Sequence, residues 1–187
     1  MNIEVVENDS KWECEFVKAK TFFTKLLNTI DIEIVHVGST SVYKMWAKPI
    51  LDIDIIVNDN EDKLKVIKKL ESVGYKHLGN LNIEGREAFS YDYKNPYINW
   101  MNHHLYLCIR GNEHLNNHLL LKKHLIENEG DRIIYSNLKK KLSKKFSTDI
   151  DSYIDGKTQL ITSFLQKEGV SEASLLKIKK VNLKDKI

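Results

Sequence analysis

The feature that most constrains this chain is a pair of aspartates inside an otherwise aliphatic stretch. Asp52 and Asp54 are separated by one isoleucine within residues 50–57, where every other residue is Ile, Leu or Val. Such a stretch predicts a buried β-strand. Because side chains alternate along a strand, both carboxylates are expected on the same face. Two like charges this close need a neutralising partner, and Mg²⁺ is bound by one or two carboxylates together with phosphate oxygens.

A glycine-serine turn precedes this strand. Residues 35–37 read as the end of a strand that runs into Gly38 and Ser39, with Thr40 next. Glycine lets the backbone approach a ligand closely, and a serine donates hydrogen bonds to phosphate oxygens. The alternative is a tight turn with a helix cap, a position that Ser and Thr favour. With the downstream acids, the turn predicts a metal-dependent nucleotidyl-transfer site in which Gly38, Ser39 and Thr40 bind phosphate.

The composition narrows the class of protein. The chain has 187 residues, 42% hydrophobic and 29% charged, which suits one soluble domain with a substantial core. No stretch is apolar and long enough for a membrane span, and no signal-peptide pattern opens the chain, so we expect a cytoplasmic protein. Cys14 and Cys108 are too few for a disulfide framework, and we expect both to be reduced core residues. The net charge of +3 gives no strong indication of nucleic acid.

Hydrophobic periodicity predicts an α+β chain in which a mixed sheet is followed by helices. Strands are predicted at residues 3–6, 32–37, 50–57, 75–78, 87–93 and 103–110, the last two pairing as a hairpin. Helices are predicted after Ser10 as N-cap, from about residue 60 to Gly74, and at about 112–127, 131–146 and 149–168. From residue 170 the chain reads as a last helix or a partly frayed tail.

Two segments of the chain resemble the GrpB family closely. They run from His36 to Val42 and from Ala47 to Asp54. The resemblance continues through Gly85-Arg86, the strand that starts at His103-His104, His118, Tyr153 and Lys157, so that it spans about residues 3–166. The family belongs to the nucleotidyltransferase fold superfamily. The resemblance therefore implies a nucleotidyltransferase-like core at residues 1–110 and a helical portion at residues 111–187 packed on it, together one structural domain.

The chain departs from the family pattern at three places. Tyr43-Lys44 stand where the family usually has proline-glycine, and Lys122-Lys123 stand where it has arginine-aspartate. Tyr106 occupies a position that often carries a third histidine. These departures concern the substrate more than the fold.

Chemistry and resemblance together assign roles to nine candidate residues. Asp52 and Asp54 are proposed to hold Mg²⁺ or Mn²⁺ and to serve catalysis. Phosphate contacts are assigned to Gly38, Ser39, Thr40, Lys48, Arg86 and Lys157. Arg86 could instead form a surface salt bridge, and Lys48 and Lys157 could simply be solvated lysines.

A third acid, usual in two-metal transferases, has only weak candidates. His103 and His104 lie on the strand where the family pattern places a site residue, and alternation lets only one of them face the site. His104 is taken as a catalytic candidate, as ligand, general base or phosphate contact. Glu87 and Asp92 are the acidic alternatives.

The leading hypothesis is Mg²⁺-dependent transfer of a nucleotidyl group from an NTP to a small-molecule or protein acceptor. The alternative is a non-catalytic module that binds a nucleotide or a CoA-like ligand on the same fold. The basic cluster Lys139, Lys140, Lys141, Lys144 and Lys145 is interpreted as a solvated helix face rather than a nucleic-acid site. Zinc at His114, His118 and His124 is disfavoured. No membrane partner is expected, and a hydrophobic patch on the late helices would be compatible with a homodimer.

Overall fold

The structure, a computed structural model, describes residues 2–182. Five strands form within this range: β1 (Glu33–Val37), β2 (Leu51–Val57), β3 (Tyr75–His77), β4 (Arg86–Tyr91) and β5 (His103–Ile109). The helices are α1 (Lys11–Leu26), α2 (Asn60–Ser72), α3 (Glu113–Glu127), α4 (Glu129–Lys145), α5 (Ile150–Lys167) and α6 (Glu172–Asn182). Ser39–Ser41 form a short 3₁₀ turn between β1 and β2. The predicted α+β class with a mixed sheet is confirmed.

The five strands form one sheet in the order β1-β2-β5-β4-β3. The two central strands β2 and β5 run parallel, and every other neighbouring pair is antiparallel. The register sets Asp52 beside His104 and Asp54 beside Tyr106. On the other side of β2, Val37 is the partner of Asp52. The predicted hairpin of β4 and β5 is confirmed, and the sheet brings the Asp52 strand against the double-histidine strand.

One face of the sheet carries the main apolar core. Helix α1 buries Trp12, Phe16, Ala19 and Phe23, which recur every three or four residues and so form one stripe. The strands contribute the residues that alternate with the aspartates: Leu51, Ile53, Ile55, Val57, Leu105 and Leu107. All six are fully buried, which fixes the register, because a one-residue slip would turn Asp52 and Asp54 into this core.

The opposite face carries the polar residues of the central strands and is covered by the late helices. Leu115 of α3 packs on Ile56 and Cys108 of this face. A separate cluster joins the 39–47 connection to α3, α4 and α5, and its buried members are Val42, Met45, Leu125, Tyr135 and Phe164. The helices after residue 111 thus pack beside the turn and strand that carry the candidate site.

Several local predictions are wrong. Residues 3–6 form no strand but a single bridge between Val6 and Ala47. Ser10 occupies the N-cap position as predicted, but its side chain makes no capping hydrogen bond, and the Asp9 carboxylate instead accepts a hydrogen bond from Lys11 N. Cys14 is exposed on α1, since it lies opposite the apolar stripe, whereas Cys108 is buried as predicted.

The end of β4 and the tail also differ from the predictions in detail. The strand ends at Tyr91 rather than at residue 93, because the chain turns over residues 92–97, which include Pro96. The tail forms α6 through residue 182, and the remainder of the predicted tail lies outside the described residues. No helix within residues 2–182 is both long and apolar enough to cross a membrane.

Candidate functional site

The two aspartates of β2 lie on the sheet face that the late helices cover. Asp54 is fully buried, and the Asp52 side chain is 30% exposed. Within residues 2–182, Oδ1 of Asp54 has no hydrogen-bond partner. A buried carboxylate oxygen without a partner is costly, so this atom is poised to accept a ligand or a bound ion.

Each aspartate is paired with a histidine from a different element. His104 Nδ1 lies 2.9 Å from Asp52 Oδ1, and His118 Nδ1 of α3 lies 2.9 Å from Asp54 Oδ2. Burial alone would raise the pKa of Asp52, but the hydrogen bond and charge of His104, with the charges of His118 and Lys48, hold it below its usual value. Burial lowers the pKa of His118, and Asp54 more than offsets this and raises it above the ordinary value. The two histidines thus stabilise the ionised forms of the two carboxylates.

The structure separates the two neighbouring histidines of β5. His104 faces the aspartates, whereas His103 is buried in the apolar core, where its Nε2 contacts the Tyr75 hydroxyl at 2.8 Å. The indole N–H of Trp100 donates to His103 Nδ1 at 3.1 Å. Burial lowers the pKa of His103 to about 4, so it is a neutral structural residue.

Neither acidic alternative for a third carboxylate reaches the site. Glu87 points to the other face of β4 and accepts hydrogen bonds from Lys63 and His77. Asp92 is exposed beyond the end of β4, where it accepts a hydrogen bond from Lys94 N. Both interpretations are wrong because strand alternation turns Glu87 away and the strand ends before Asp92.

The glycine-serine turn is built around a close approach to Asp52. Gly38 has φ +67°, and a Cβ at this position would overlap the Asp52 carboxylate. The Thr40 hydroxyl accepts from His36 Nε2 at 2.9 Å and donates to the Ile50 carbonyl at 3.3 Å. Thr40 is buried, and both hydrogen bonds of its hydroxyl are made within the segment from His36 to Ile50. Only glycine fits between this turn and the carboxylate.

Three lysines from separate segments of the chain lie near Asp52. Lys48 precedes β2, Lys139 belongs to α4 and Lys157 to α5, and Asp52 attracts all three electrostatically. Lys48 Nζ and Lys157 Nζ lie 5.8 and 4.4 Å from the centroid of the Tyr153 ring. Burial and the charge of Lys48 lower the pKa of Lys157 to about 8. These three residues are called the lysine pole below.

Lys139 is the most unusual member of the lysine pole. It is 2% exposed, and its Nζ has no hydrogen-bond partner within the described residues. It lies 4.5 Å from the centroid of the Tyr135 ring, and Tyr135 shares a hydrogen bond with the Ser39 side chain. Burial, followed by the charge of Lys157, lowers the pKa of Lys139 well below its ordinary value. The interpretation of Lys139 as a solvated residue is wrong.

Arg86 lies on the Asp54 side of the site. It is the first residue of β4, is 7% exposed, and stands 4.6 Å from the centroid of the Tyr106 ring. Its charge and that of Asp54 attract each other. The alternative of a surface salt bridge is therefore excluded by its burial.

Eight of the nine candidate residues thus lie in one region. The hydroxyl of the ninth, Thr40, is hydrogen-bonded within the adjacent segment. Sequence reasoning missed Lys139 and His118 as members. A signal existed for Lys139, because it follows Tyr135 by four residues and precedes Leu142 by three, which places it on the buried face of α4. For His118, only the match to the family pattern pointed to a special position, and its pairing with Asp54 is a tertiary contact.

The donor set fits one Mg²⁺ better than a closed metal cage. Two carboxylates on one strand face, one with an unpartnered buried oxygen, suit an ion that completes its shell with water and phosphate oxygens. Within residues 2–182, no three His, Cys, Asp or Glu side chains are arranged to hold a metal by themselves. A metal at this site would therefore depend on ligands from a bound substrate.

Comparison with known proteins identifies relatives over nearly the whole chain. The sequence profile of the family described as GrpB protein matches residues 2–167. A UPF0157 protein of Halalkalibacterium halodurans is 28% identical over 89% of this chain and 82% of its own length. The glutamate-rich protein GrpB of Alkalihalophilus pseudofirmus is 29% identical over 86% of this chain and 92% of its own.

The fold has solved counterparts as well. The crystal structure of the conserved protein GrpB from Enterococcus faecalis matches with a TM-score of 0.74 and 26% identity, over 89% of this chain and all of that one. A structure of the Cid1 poly(U) polymerase reaches a TM-score of 0.45 at 16% identity, over 65% of this chain and 42% of that one. That second similarity is too low to support an argument.

Proposed function

This chain belongs to the GrpB family, and from that premise we propose that it is a Mg²⁺-dependent nucleotidyltransferase. It would transfer a nucleotidyl group from an NTP to an acceptor. Gly38, Ser39 and the lysine pole would hold the phosphates, and Asp52 and Asp54 would hold the metal.

The observation that carries the proposal is the buried amino group of Lys139, which has no hydrogen-bond partner within residues 2–182 and lies near Lys157, itself near Lys48. Burying like charges together destabilises a protein unless an anion joins them. A triphosphate supplies several negative charges over the length of such a pole. The turn at Gly38, which brings backbone close to Asp52, lies at the same place and suits a phosphate tail.

The chemistry would rest on position and charge. In the transfer, the acceptor oxygen forms a bond to the α-phosphorus while the bond from that phosphorus to the bridging oxygen breaks, and its electrons leave with pyrophosphate. Bound Mg²⁺ would supply positive charge to the attacking and leaving oxygens. His104 is 46% exposed and bonded through Nδ1 to Asp52, so its Nε2 is the chain's candidate acceptor for the proton of the attacking hydroxyl.

The same region also supports a second candidate function, a nucleotide-binding module without transfer activity. The observation that favours it is the absence, within residues 2–182, of a third acid beside Asp52 and Asp54. In this case the histidine-paired carboxylates would help to hold a ligand without driving chemistry.

Calorimetric titration with ATP, GTP, CTP and UTP, each with and without Mg²⁺, tests the shared premise. We expect Mg²⁺-dependent binding of at least one NTP, lost in a folded D52N/D54N double variant. Unchanged affinity in that variant, or no binding of any NTP by the wild type, would reject the site.

Pyrophosphate release then separates the two candidates. A transferase incubated with its NTP and a panel of small hydroxylated acceptors is expected to release pyrophosphate in proportion to the labelled product. The panel should include acceptors that carry a phosphate group. Nucleotide binding with no pyrophosphate release for any acceptor would favour the binding module.

A further inference from the structure

A second group of unpartnered polar atoms lies on the Asp54 side, away from the lysine pole. Arg86 Nε and His114 Nε2 are both buried and have no hydrogen-bond partner within residues 2–182, as is true of Asp54 Oδ1. Three such atoms in one locality are unusual, because buried polar atoms are nearly always paired. Arg86 Nε and His114 Nε2 can each donate a hydrogen bond to an anion, and the third atom belongs to a carboxylate.

Contacts between side chains bring these atoms together. The His114 and His118 rings lie 4.0 Å apart between centroids, and Tyr106 contacts both, at 5.9 and 6.0 Å. The Arg86 guanidinium lies 4.6 Å from the centroid of the same Tyr106 ring. His118 then connects the group to Asp54 through its 2.9 Å hydrogen bond. Arg86, Tyr106, His114 and His118 are called the arginine pole below.

The arginine pole carries the cation Arg86 and the histidine His118, and Asp54 is a carboxylate that interacts with both. Burial, followed by the charges of His118 and Arg86, lowers the pKa of His114 to about 2. Asp54 attracts Arg86, but its Oδ2 already pairs with His118. The His118 side chain is 26% exposed, and His114 and Tyr106 are partly exposed, so solvent reaches the pole beside the buried Arg86.

We propose that the arginine pole is a binding subsite for an oxyanion carried by the acceptor. This inference rests on the proposed function, in which the lysine pole on the Asp52 side takes the NTP phosphates. The acceptor is then a small molecule with a phosphate or carboxylate group close to the hydroxyl that reacts. Its oxyanion contacts Arg86 and His114, and its hydroxyl lies toward Asp54 and Asp52.

The chemistry of the pole suits this class of ligand. A guanidinium donates two parallel hydrogen bonds to a phosphate or carboxylate, and low exposure strengthens them. An added oxyanion would accept hydrogen bonds from Arg86 Nε and from His114 Nε2, in the neutral tautomer that carries its proton on Nε2. A neutral alcohol acceptor would leave both atoms unpartnered, which disfavours it.

Histidine-ring NMR tests the subsite in the absence of NTP and Mg²⁺. Protein with ¹⁵N-labelled histidine is titrated with inorganic phosphate in one arm and with acetate in the other. We expect saturable shifts of the His114 and His118 ring signals, in one arm or both, and the tighter arm identifies the oxyanion. His124, held between Asp131 and Glu168, serves as the internal control whose signal stays fixed.

Variants locate the binding event. The shifts should persist in K139M, which alters only the lysine pole. They should disappear in R86M and weaken by about tenfold or more in R86K, which keeps the charge but not the bidentate geometry. If R86M does not fold, H114Q followed through the His118 signal replaces it, with loss of the shift expected.

Two results would overturn the inference. One is a fixed His114 signal in both arms, and the other is the same shift in folded R86M as in wild type. Either result leaves the proposed function standing if NTP binding is still observed. Conversely, oxyanion binding at His114 with no NTP binding would retain the subsite and reject the transfer reaction.

Discussion

His118 Nδ1 lies 2.9 Å from Asp54 Oδ2, so the most deeply buried carboxylate of the sheet is paired with a residue of α3. This contact joins the strand that carries the acids to the helices that follow the sheet. It also gives the buried Asp54 carboxylate a partner whose pKa is raised by that carboxylate.

Replacing His118 by glutamine is expected to destabilise the protein in a pH-dependent way. The folded-state pKa of His118 is raised above 6.5, so its charged pairing with Asp54 contributes fully below that value and is lost as pH rises through the folded pKa. Urea unfolding of wild type and H118Q should differ by about 1–3 kcal/mol at about pH 5.5 and by less at about pH 9. A difference that is constant or grows with pH would contradict the pairing.

Replacing Lys139 by methionine is expected to stabilise the protein. The substitution removes a buried amino group that has no hydrogen-bond partner among residues 2–182, at nearly constant volume, and the free energy of unfolding should rise by about 1–3 kcal/mol. Because the pKa of Lys139 is lowered, the gain should shrink as pH rises and the lysine loses its proton.

The matched control for that variant is K141M on the same helix. Lys141 is exposed, so the same loss of charge should change the free energy of unfolding by less than about 0.5 kcal/mol. If K139M were less stable than K141M, the ammonium of Lys139 would be compensated in the folded protein.

Replacing Gly38 by alanine is expected to disturb Asp52 as well as the backbone. Gly79 provides the comparison, since it has φ +70° and open space around it, whereas Gly38 has φ +67° and faces Asp52. G79A should cost about 1 kcal/mol from strain alone, and G38A about 1–3 kcal/mol more. Denaturant unfolding measures the free energy of unfolding of both variants. Equal decreases for G38A and G79A would show that a Cβ at residue 38 does not clash with Asp52.

The fold was largely predictable because its elements carry strong local patterns. The aliphatic run around Asp52 and the stripe of α1 each give a clear period, and the predicted elements match most bounds within a few residues. The errors fall where local signals compete. The capping box predicted at Ser10 does not form, because Asp9 accepts the backbone hydrogen bond instead, and Cys14, predicted to be buried, lies on the exposed side of α1.

The candidate site was predictable only in part. Strand alternation places both aspartates on one face, but it does not reveal which of His103 and His104 shares that face. That depends on the parallel register of β2 with β5, a contact between distant segments. The burial of Lys139 was not predicted because a run of lysines usually indicates a solvent-exposed helix face. The four-residue spacing of Lys139 from the buried Tyr135 nevertheless places both on the same face of α4.

The most direct test of the central claim is the affinity of Mg²⁺–NTP for K139M compared with K141M, measured by calorimetry. If Lys139 holds a phosphate, K139M should bind about ten- to a hundredfold more weakly than wild type, since hydrogen bonds to charged groups contribute about 1.5–3 kcal/mol. K141M should bind as wild type does. Equal affinities of folded K139M and wild type, or no NTP binding by either, would contradict the account.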